Sequence, residues 1–268
     1  MNIIENFDLF LFDMDGVIYI GNKPIPGSVE LINHLYNRNK IVIFLTNNPA
    51  RSDSEYAKKL NKTGIKTNTD HIITSTKNIC HYLKNHIKEL NKKSAYVIGS
   101  RHFKSSIHKT GINIVRSGNN FKSDYVIMGG HRNFNFNEID NASQFIRNGA
   151  RIIASNRDSH YPSELGVSPG TGALLSSIEI TSGKKAIITG KPEKHIFQLS
   201  LKLAGIKNKK KVVIIGDNLQ TDILGGNNFG ISTILSLTGV TSKKDLKNSE
   251  IKPDYIIKNP SELINLSH

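Results

Sequence analysis

The chain has 268 residues, 37% of them hydrophobic and 22% charged, which is the composition of a globular protein with one large or two ordinary domains. Its 36 Lys and Arg outnumber 22 Asp and Glu and give a formal net charge of +14, which permits attraction to anionic molecules. The basic residues are scattered and lack the interleaved aromatic residues of a nucleic-acid stacking surface. We therefore expect small phosphates, and no nucleic acid, as partners.

Cysteine content and hydropathy bound the location of the protein. Cys80 is the only cysteine, which excludes an internal disulfide framework and suits a reducing compartment. No apolar run approaches the length of a membrane span, and the N-terminus lacks the pattern of a signal peptide. We therefore expect a cytoplasmic protein with no membrane association.

The first predicted element is an apolar strand, Leu9 to Phe12, that ends at Asp13 and Asp15. An uninterrupted apolar run is typical of a strand buried on both faces of a parallel sheet, and ligands bind outside the carboxyl ends of such strands. Two carboxylates two residues apart repel each other unless a proton or a cation such as Mg²⁺ relieves them, and a carboxylate can also attack phosphorus. The alternative is a strand-end turn without chemistry.

Strands and helices then alternate along the chain, which predicts a parallel α/β sheet. Strands are predicted at 41–45, 72–74, 95–98, 112–115, 125–128, 152–154, 187–189, 212–215, 231–235 and 255–257. A new α/β pattern begins near residue 85, contains an irregular polar loop over 155–169, and gives way to the first pattern near residue 186. The simplest organisation is a core of residues 1–78 and 185–268 with a second α/β domain inserted over residues 79–184.

Four predicted strand ends carry polar residues, and the carboxyl ends of parallel strands share one edge of a sheet. These residues are Asp13 and Asp15, Thr46 and Asn47, Lys191, and Asp217 with Asn218 and Asp222. Together they supply a nucleophile, hydroxyl and amide donors, a cation and further carboxylates. Such a set suits phosphoryl transfer, which depends on positioning and charge stabilisation.

These residues lie in motifs that resemble those of the haloacid dehalogenase (HAD) superfamily of aspartyl-phosphate hydrolases. DMDGV, LTNN, GKP and GDNLQTD match the four motifs of that superfamily in order. The insertion between LTNN and GKP, with GNKPIPGS, TNNPARS, PGTGAL, LTGV and PDYIIKNPSEL, resembles the nitrophenylphosphatase-like (NagD-like) branch, subclass IIA. The resemblance implies an α/β protein with a Rossmann-like parallel-sheet core (HAD fold) and an inserted α/β cap domain. It also implies a Mg²⁺-dependent phosphatase that acts on small phosphate monoesters.

The resemblance assigns roles to the first two motifs. Asp13 would be the nucleophile and a Mg²⁺ ligand. Asp15 would bind the metal through its main-chain carbonyl, protonate the leaving oxygen and then activate the hydrolytic water. Its carboxylate favours phosphate chemistry over dehalogenation, because a departing halide needs no proton. Thr46 and Asn47 would hold the phosphoryl oxygens.

The later motifs complete the implied site. Lys191 would neutralise the nucleophile and the transferring group, and Asp217 would complete the metal ligands. Asn218 and Asp222 would orient these metal ligands through hydrogen bonds, without binding the metal themselves. The alternative for Asp222 is a helix cap or a partner of the helix dipole.

Substrate recognition is expected from the inserted domain, which can close over the site. Where relatives usually carry Thr-Asn-Pro-Asp, the polar loop over 155–169 reads Ser-Asn-Arg-Asp. We expect Asn156, Arg157, Asp158 and His160 to face the leaving group, with Arg157 favouring an anionic or strongly polar one. The alternative is a loop on the outer surface.

Several functions remain open at this point. Sugar phosphates, nucleoside monophosphates, phosphoglycolate-like acids and pyridoxal phosphate are all candidate substrates. A phosphotransferase on the same scaffold and a catalytically idle binding protein are the alternatives. A homodimer or higher homo-oligomer is compatible with the sequence.

Overall fold

The computed structural model describes residues 3–118, 120–163 and 166–265, in which two parallel sheets and two hairpins form. The strands are, in chain order, β1 (Leu9–Asp13), β2 (Tyr19–Ile20), β3 (Lys23–Pro24), β4 (Ile41–Thr46), β5 (Ile72–Thr74), β6 (Ser94–Ile98), β7 (Asn113–Val115), β8 (Tyr125–Met128), β9 (Arg151–Ala154), β10 (His160–Ser163), β11 (Gly166–Pro169), β12 (Ile187–Ile188), β13 (Val212–Gly216), β14 (Ser232–Ser236) and β15 (Tyr255–Ile257). The α-helices are α1 (Ser28–Asn37), α2 (Asp53–Lys62), α3 (Ser75–His86), α4 (Arg101–His108), α5 (Phe136–Arg147), α6 (Thr171–Ser182), α7 (Lys194–Ala204), α8 (Leu224–Phe229), α9 (Lys243–Asn248) and α10 (Ser261–Asn265). Within the described ranges, no helix is both long and apolar enough to cross a bilayer.

The larger sheet has six parallel strands in the order β15-β14-β13-β1-β4-β5, with β1 near its centre. From β1 the chain continues through β4 and β5 on one side, and it later adds β13, β14 and β15 on the other side. The strand order therefore reverses between β1 and β13. In open α/β sheets, the crevice outside the carboxyl ends at such a reversal is where ligands bind.

Strand β1 is buried on both faces because its side chains alternate between two apolar clusters. Phe10 and Phe12 pack into the cluster beneath α1 and α2. Leu9 and Leu11 pack into the cluster beneath α7. Burying one such side chain contributes about 1.5–3 kcal/mol. The prediction of a strand buried on both faces of a parallel sheet is confirmed.

The smaller sheet has five parallel strands in the order β12-β9-β8-β6-β7. Helices α5 and α6 cover one face and α3 and α4 cover the other. Here the order reverses between β6 and β8, because β7 follows β6 on one side while β8 and β9 lie on the other. We call the larger sheet with its helices the core, and the smaller sheet with α4, α5 and α6 the cap.

Two sequence-based expectations are wrong in this region. The pattern assigns the strand at 187–189 to the core, but Ile187 and Ile188 pair with Ile153 and Ala154 of β9 in the cap sheet. The pattern also predicts an irregular loop over 155–169, but β10 and β11 form an antiparallel hairpin there. The division of the chain at residues 79–184 otherwise stays a prediction.

Candidate active site

The carboxyl edge of the core sheet gathers polar residues that are distant in the sequence. Asp13 is the last residue of β1, Thr46 is the last residue of β4, and Asp217 directly follows β13. Together with Asp15 and Lys191, they line one cavity of about 650 Å³ that residues of the core and the cap share. The reversal between β1 and β13 thus lies beneath this cavity.

Lys191 forms a buried bridge between two carboxylates. Its Nζ donates to Oδ1 of Asp13 and to Oδ1 of Asp222, each at 2.6 Å, and its side chain is only 2% exposed. Burial lowers the pKa of this lysine, but the charges of Asp13 and Asp222 outweigh burial and raise the pKa above its ordinary value. The ammonium group therefore stays charged and fixes the position of the Asp13 carboxylate.

Three carboxylates lie close enough to share one cation. Asp13, Asp217 and Asp222 offer oxygens that are all within 4.8 Å of one another. Burial raises the pKa of Asp13, and burial together with the charge of Asp222 raises the pKa of Asp217 to about 7. The one ammonium group of Lys191 does not balance three carboxylates, and Mg²⁺ prefers carboxylate oxygens. The residues present therefore fit a magnesium ion.

Asp222 and Asn218 lie in the turn that follows β13. Asp222 belongs to a π-helical turn over Leu219–Ile223, and the main-chain N–H of Asn218 donates to its Oδ2 at 3.2 Å. The Asn218 side chain accepts from the N–H of Gln220 at 2.9 Å and so begins the turn. Because both oxygens of Asp222 have protein partners, the geometry favours an orienting role for Asp222 over a direct metal contact.

A glycine-containing segment encloses Asp217. The N–H of Val240 donates to Oδ2 of Asp217 at 2.6 Å, and the N–H of Thr241 donates to its main-chain oxygen at 3.1 Å. A Cβ at Gly239 would lie 1.8 Å from Asp217 Oδ2, and a Cβ at Gly16 would lie 2.2 Å from it. Both positions therefore require glycine for this close approach.

Asp15 lines the cavity, and two cations, Lys59 and Arg51, act on its carboxyl group. Burial raises the pKa of the Asp15 carboxyl, while the charges of Lys59 and Arg51 oppose that rise. Lys59 of α2 places its Nζ 3.1 Å from the centroid of the Tyr19 ring, and burial lowers its pKa to about 8. A raised pKa suits a carboxyl that delivers a proton to a leaving group.

The side chain of Asn47 connects the core to the cap instead of pointing free donors at the cavity. Its Nδ2 donates to Oδ1 of Asp158 and to the carbonyl of Lys191, each at 3.0 Å. Its Oδ1 accepts from the N–H of Lys191 at 2.9 Å. Both side-chain amide hydrogens are therefore engaged, and the role of Asn47 in holding phosphoryl oxygens stays a prediction.

The four cap residues expected to face the leaving group separate into two sets. Asn156, Asp158 and His160 line the cavity. Arg157 instead donates to Glu179 Oε2 at 2.8 Å and Oε1 at 2.6 Å. The expectation that Arg157 reads the leaving group is therefore wrong, because its charge is paired with a carboxylate of α6.

Sequence reasoning missed several cap residues that line the cavity. Ser100 follows β6, and Arg132 and Phe134 follow β8. Tyr161 of β10 and Leu174 of α6 complete this part of the wall. The strand-end rule that identified Asp13 would also have identified Ser100 and Arg132, had it been applied to the predicted strands of the inserted domain.

Two family models match the chain. The haloacid dehalogenase-like hydrolase model matches residues 10–113, and a HAD-hydrolase-like model matches residues 188–263. Among curated relatives, an acid sugar phosphatase from Staphylococcus saprophyticus is 31% identical over 97% of this chain and 98% of its own length. The 5'-nucleotidase YutF of Bacillus subtilis is also 31% identical, over 97% of this chain and 99% of its own length.

Solved structures agree with these matches. The 4-nitrophenylphosphatase of Thermotoga maritima superposes with a TM-score of 0.90 at 29% identity, over the whole of both chains. NagD of Escherichia coli K-12 gives a TM-score of 0.85 at 31% identity, over 96% of this chain and 98% of its own. The chain therefore belongs to the haloacid dehalogenase superfamily and is a phosphatase of its NagD-like branch, subclass IIA.

Proposed function

We propose that the protein hydrolyses small phosphate monoesters in a Mg²⁺-dependent reaction through a phosphoryl group carried on Asp13. The supporting observation is the buried bridge in which Lys191 Nζ lies 2.6 Å from both Asp13 and Asp222. This bridge holds a carboxylate at the strand-order reversal, on the wall of a cavity that is large enough for a small metabolite. Asp13, Asp15, Lys191 and Asp217 are all present, which supports an enzyme over a catalytically idle binding protein.

In the first step, an oxygen of Asp13 attacks phosphorus while the bond between phosphorus and the leaving oxygen breaks. Asp15 gives its proton to that oxygen, so the leaving group departs as a neutral alcohol. In the second step, water attacks the phosphoryl group on Asp13 and passes a proton to Asp15. Inorganic phosphate leaves, and both carboxyl groups return to their starting states.

The remaining residues stabilise charge and hold position. Lys191 offsets the negative charge on Asp13 and on the transferring group, and Thr46 offers its hydroxyl to the phosphoryl oxygens. Mg²⁺ held by Asp13, Asp217 and the main-chain carbonyl of Asp15 would neutralise phosphoryl charge when bound. Asn47 positions the segment after β4 through its bonds to the cap.

The relatives suggest a class of substrates, although their names specify different phosphate esters. Their names denote an acid sugar phosphatase, a 5'-nucleotidase and a 4-nitrophenylphosphatase. We infer sugar phosphates or nucleotides as natural substrates and nitrophenyl phosphate as a synthetic one. The single Cys80 supports a cytoplasmic setting. A homo-oligomeric state stays a prediction.

A panel of phosphate monoesters tests the proposal. The purified protein is stripped of metal with EDTA and assayed for phosphate release with and without added Mg²⁺. We expect release from 4-nitrophenyl phosphate and from at least one sugar phosphate or nucleoside monophosphate, only with the metal. Glycerol in the assay would reveal phosphotransfer as glycerol phosphate. Undiminished release without metal, or no release from any ester, would contradict the proposal.

A further inference from the structure

The cap sheet has its own strand-order reversal, and this reversal opens on the same cavity as the core site. β6 and β8 are neighbours, and the chain leaves them towards opposite sides of the sheet. Ser100 follows β6 and Arg132 follows β8, and both line the cavity together with Asp13. The carboxyl edges of two parallel sheets therefore border one cavity, and each edge has the topology of a ligand-binding crevice.

Arg132 differs from Arg157 of the cap and from Lys191 because no carboxylate among the described residues neutralises its charge. Arg157 is paired with Glu179 at 2.6 Å, and Lys191 is paired with two aspartates. His131, the neighbour of Arg132, lies 2.9 Å from Glu138. Across the described ranges, Arg132 has neither an ion pair nor a side-chain hydrogen bond. Its guanidinium group is thus available to an anion inside the cavity.

The core lines the cavity with several carboxylates, whereas the cap adds Arg132 and one carboxylate, Asp158, which Asn47 of the core binds. At the core end, Asp13, Asp15 and Asp217 provide carboxylates for the metal and the proton transfer. At the cap end, the exposed Arg132 provides a planar group with several N–H donors, which suits a carboxylate or phosphate. A substrate with phosphate at one end and a second anion at the other would match this distribution.

We propose that Arg132 binds a second anionic group, a carboxylate or a second phosphate, on the leaving group of the substrate. The inference rests on the proposed phosphatase function and narrows its substrates to phosphate esters that carry two separated anions. Arg132 is thereby the specificity-determining cation that sequence reasoning assigns to Arg157. The phosphoryl group reacts at Asp13 while the second anion holds the leaving group in the cap.

Matched substrates test this inference directly. 3-Phosphoglycerate and glycerol 3-phosphate share a three-carbon chain and differ in a carboxylate against a hydroxymethyl group. Glucose 1,6-bisphosphate and glucose 6-phosphate differ in a second phosphate. The measured quantity is the ratio of kcat/KM for the ester with the second anionic group to kcat/KM for its matched partner without that group. We expect Arg132→Gln to lower this ratio by about tenfold to a hundredfold, the range of one hydrogen bond to a charged group.

Two further variants separate a specific contact from a general charge effect. Arg116→Gln removes an exposed cap cation that does not line the cavity, and should leave the ratio within about twofold of the wild-type value, as expected for a screened surface charge. Arg132→Lys keeps the charge but loses the planar fork, and should give an intermediate ratio. Comparison of the two substrate pairs shows whether Arg132 binds a carboxylate or a second phosphate.

Failure of this inference is distinguishable from failure of the proposed function. An unchanged ratio in Arg132→Gln for both pairs, with the wild-type enzyme active on the esters, overturns the anion contact and leaves the phosphatase in place. An equal fall of the ratio in Arg116→Gln also overturns it, because net charge would then explain the effect. If the wild-type enzyme hydrolyses no ester, the proposed function itself fails.

Discussion

Asn47 of the core donates from Nδ2 to Oδ1 of Asp158 in the cap at 3.0 Å, so this hydrogen bond helps to join the core to the cap beside the cavity. Asn156 of the same cap loop donates to the carbonyl of Asn47 at 2.6 Å. Burial raises the pKa of Asp158 to about 6. The carboxyl that ties the cap to the core therefore changes its charge within an accessible pH range.

Replacing Asp158 by asparagine should remove one component of the pH dependence of stability. The folded pKa of Asp158, about 6, lies above the ordinary value of 3.8, so the ionised form is disfavoured in the folded protein. Its contribution to stability is present below pH 4 and is lost as pH rises through 6. Asp158→Asn stays neutral, so its thermal midpoint relative to wild type should increase between pH 4 and pH 7.

The expected size of this change is up to about 3 kcal/mol, because one pKa unit corresponds to about 1.4 kcal/mol. The measurement is thermal unfolding in EDTA at several pH values. Asp8→Asn, an exposed change before β1, serves as the control and should keep the wild-type pH profile. A constant difference between Asp158→Asn and wild type across this range would contradict the prediction.

Glu179 has the opposite dependence. Burial favours its neutral form, but the bonds from Arg157, the N–H of Ala186 and Lys185 outweigh burial and lower its pKa to about 2. Its stabilisation is therefore present above pH 4.5 and is lost as pH falls through 2. Glu179→Gln should lower the free energy of unfolding by about 2–4 kcal/mol at pH 7, because a neutral amide cannot replace the hydrogen bonds that the buried carboxylate accepts from these three groups.

The measurement is the thermal midpoint at pH 7 and at pH 3. The midpoint of Glu179→Gln should fall further below wild type at pH 7 than at pH 3. Glu89→Gln breaks an exposed ion pair with Lys92 and should cost little at either pH. Equal losses in both variants would show that the Arg157–Glu179 contact does not anchor the cap loop.

Local sequence patterns predict the central strands of the core because consecutive residues are enough to identify each strand and its end. The run Leu9–Phe12 permits one interpretation, a strand covered on both faces, and Asp13 at its end then lies at the carboxyl edge. The same rule places Asp217 after β13. The sequence does not determine which sheet contains β12, because Ile187 and Ile188 could pair with strands of either sheet. Their pairing with β9, more than thirty residues earlier, settles the assignment.

Side-chain partners explain the remaining differences. The charge of Arg157 is visible in the sequence, but its partner Glu179 lies on a helix twenty-two residues later. The hairpin of β10 and β11 contains Pro162 and Pro169, and proline argues against strands in a sequence pattern. The sequence likewise does not show whether the amide of Asn47 binds a phosphate or a residue of the cap.

Asp13→Asn should abolish turnover and preserve the fold. An amide cannot form the phosphoryl ester, so kcat should fall by at least about a thousandfold, as for other nucleophile deletions. Lys191 keeps its bond to Asp222, so the fold should persist. Wild-type protein quenched in acid should carry a phosphoryl group that hydroxylamine releases, and Asp13→Asn should carry none. Substantial hydrolysis by Asp13→Asn would exclude the covalent mechanism.

Asp15→Asn should slow poor leaving groups more than good ones. Glycerol phosphate needs a proton on its departing oxygen, and loss of the general acid should cost about 10²–10⁴ in kcat. 4-Nitrophenyl phosphate departs readily without that proton and should lose less. Mg²⁺ affinity should change little, because the proposed contact uses the main-chain carbonyl of Asp15. Equal losses on both substrates would argue against Asp15 as the acid.

Gly239→Ala should weaken metal binding although it replaces none of the proposed ligand residues. The added Cβ would lie 1.8 Å from Oδ2 and 2.5 Å from Cγ of Asp217, so either this carboxylate or the segment that carries Val240 must move. Because the N–H of Val240 holds the same Oδ2 at 2.6 Å, either movement breaks the placement of Asp217. We expect the Mg²⁺ concentration for half-maximal activity to rise at least about tenfold, a loss typical of misplacing a metal ligand or its support. The Mg²⁺-induced rise in thermal midpoint should shrink in parallel. Gly118→Ala adds the same methyl group where nothing lies within 4 Å, and should match wild type in both measurements. If Gly239→Ala keeps wild-type Mg²⁺ dependence, Asp217 does not hold the metal through the geometry seen here.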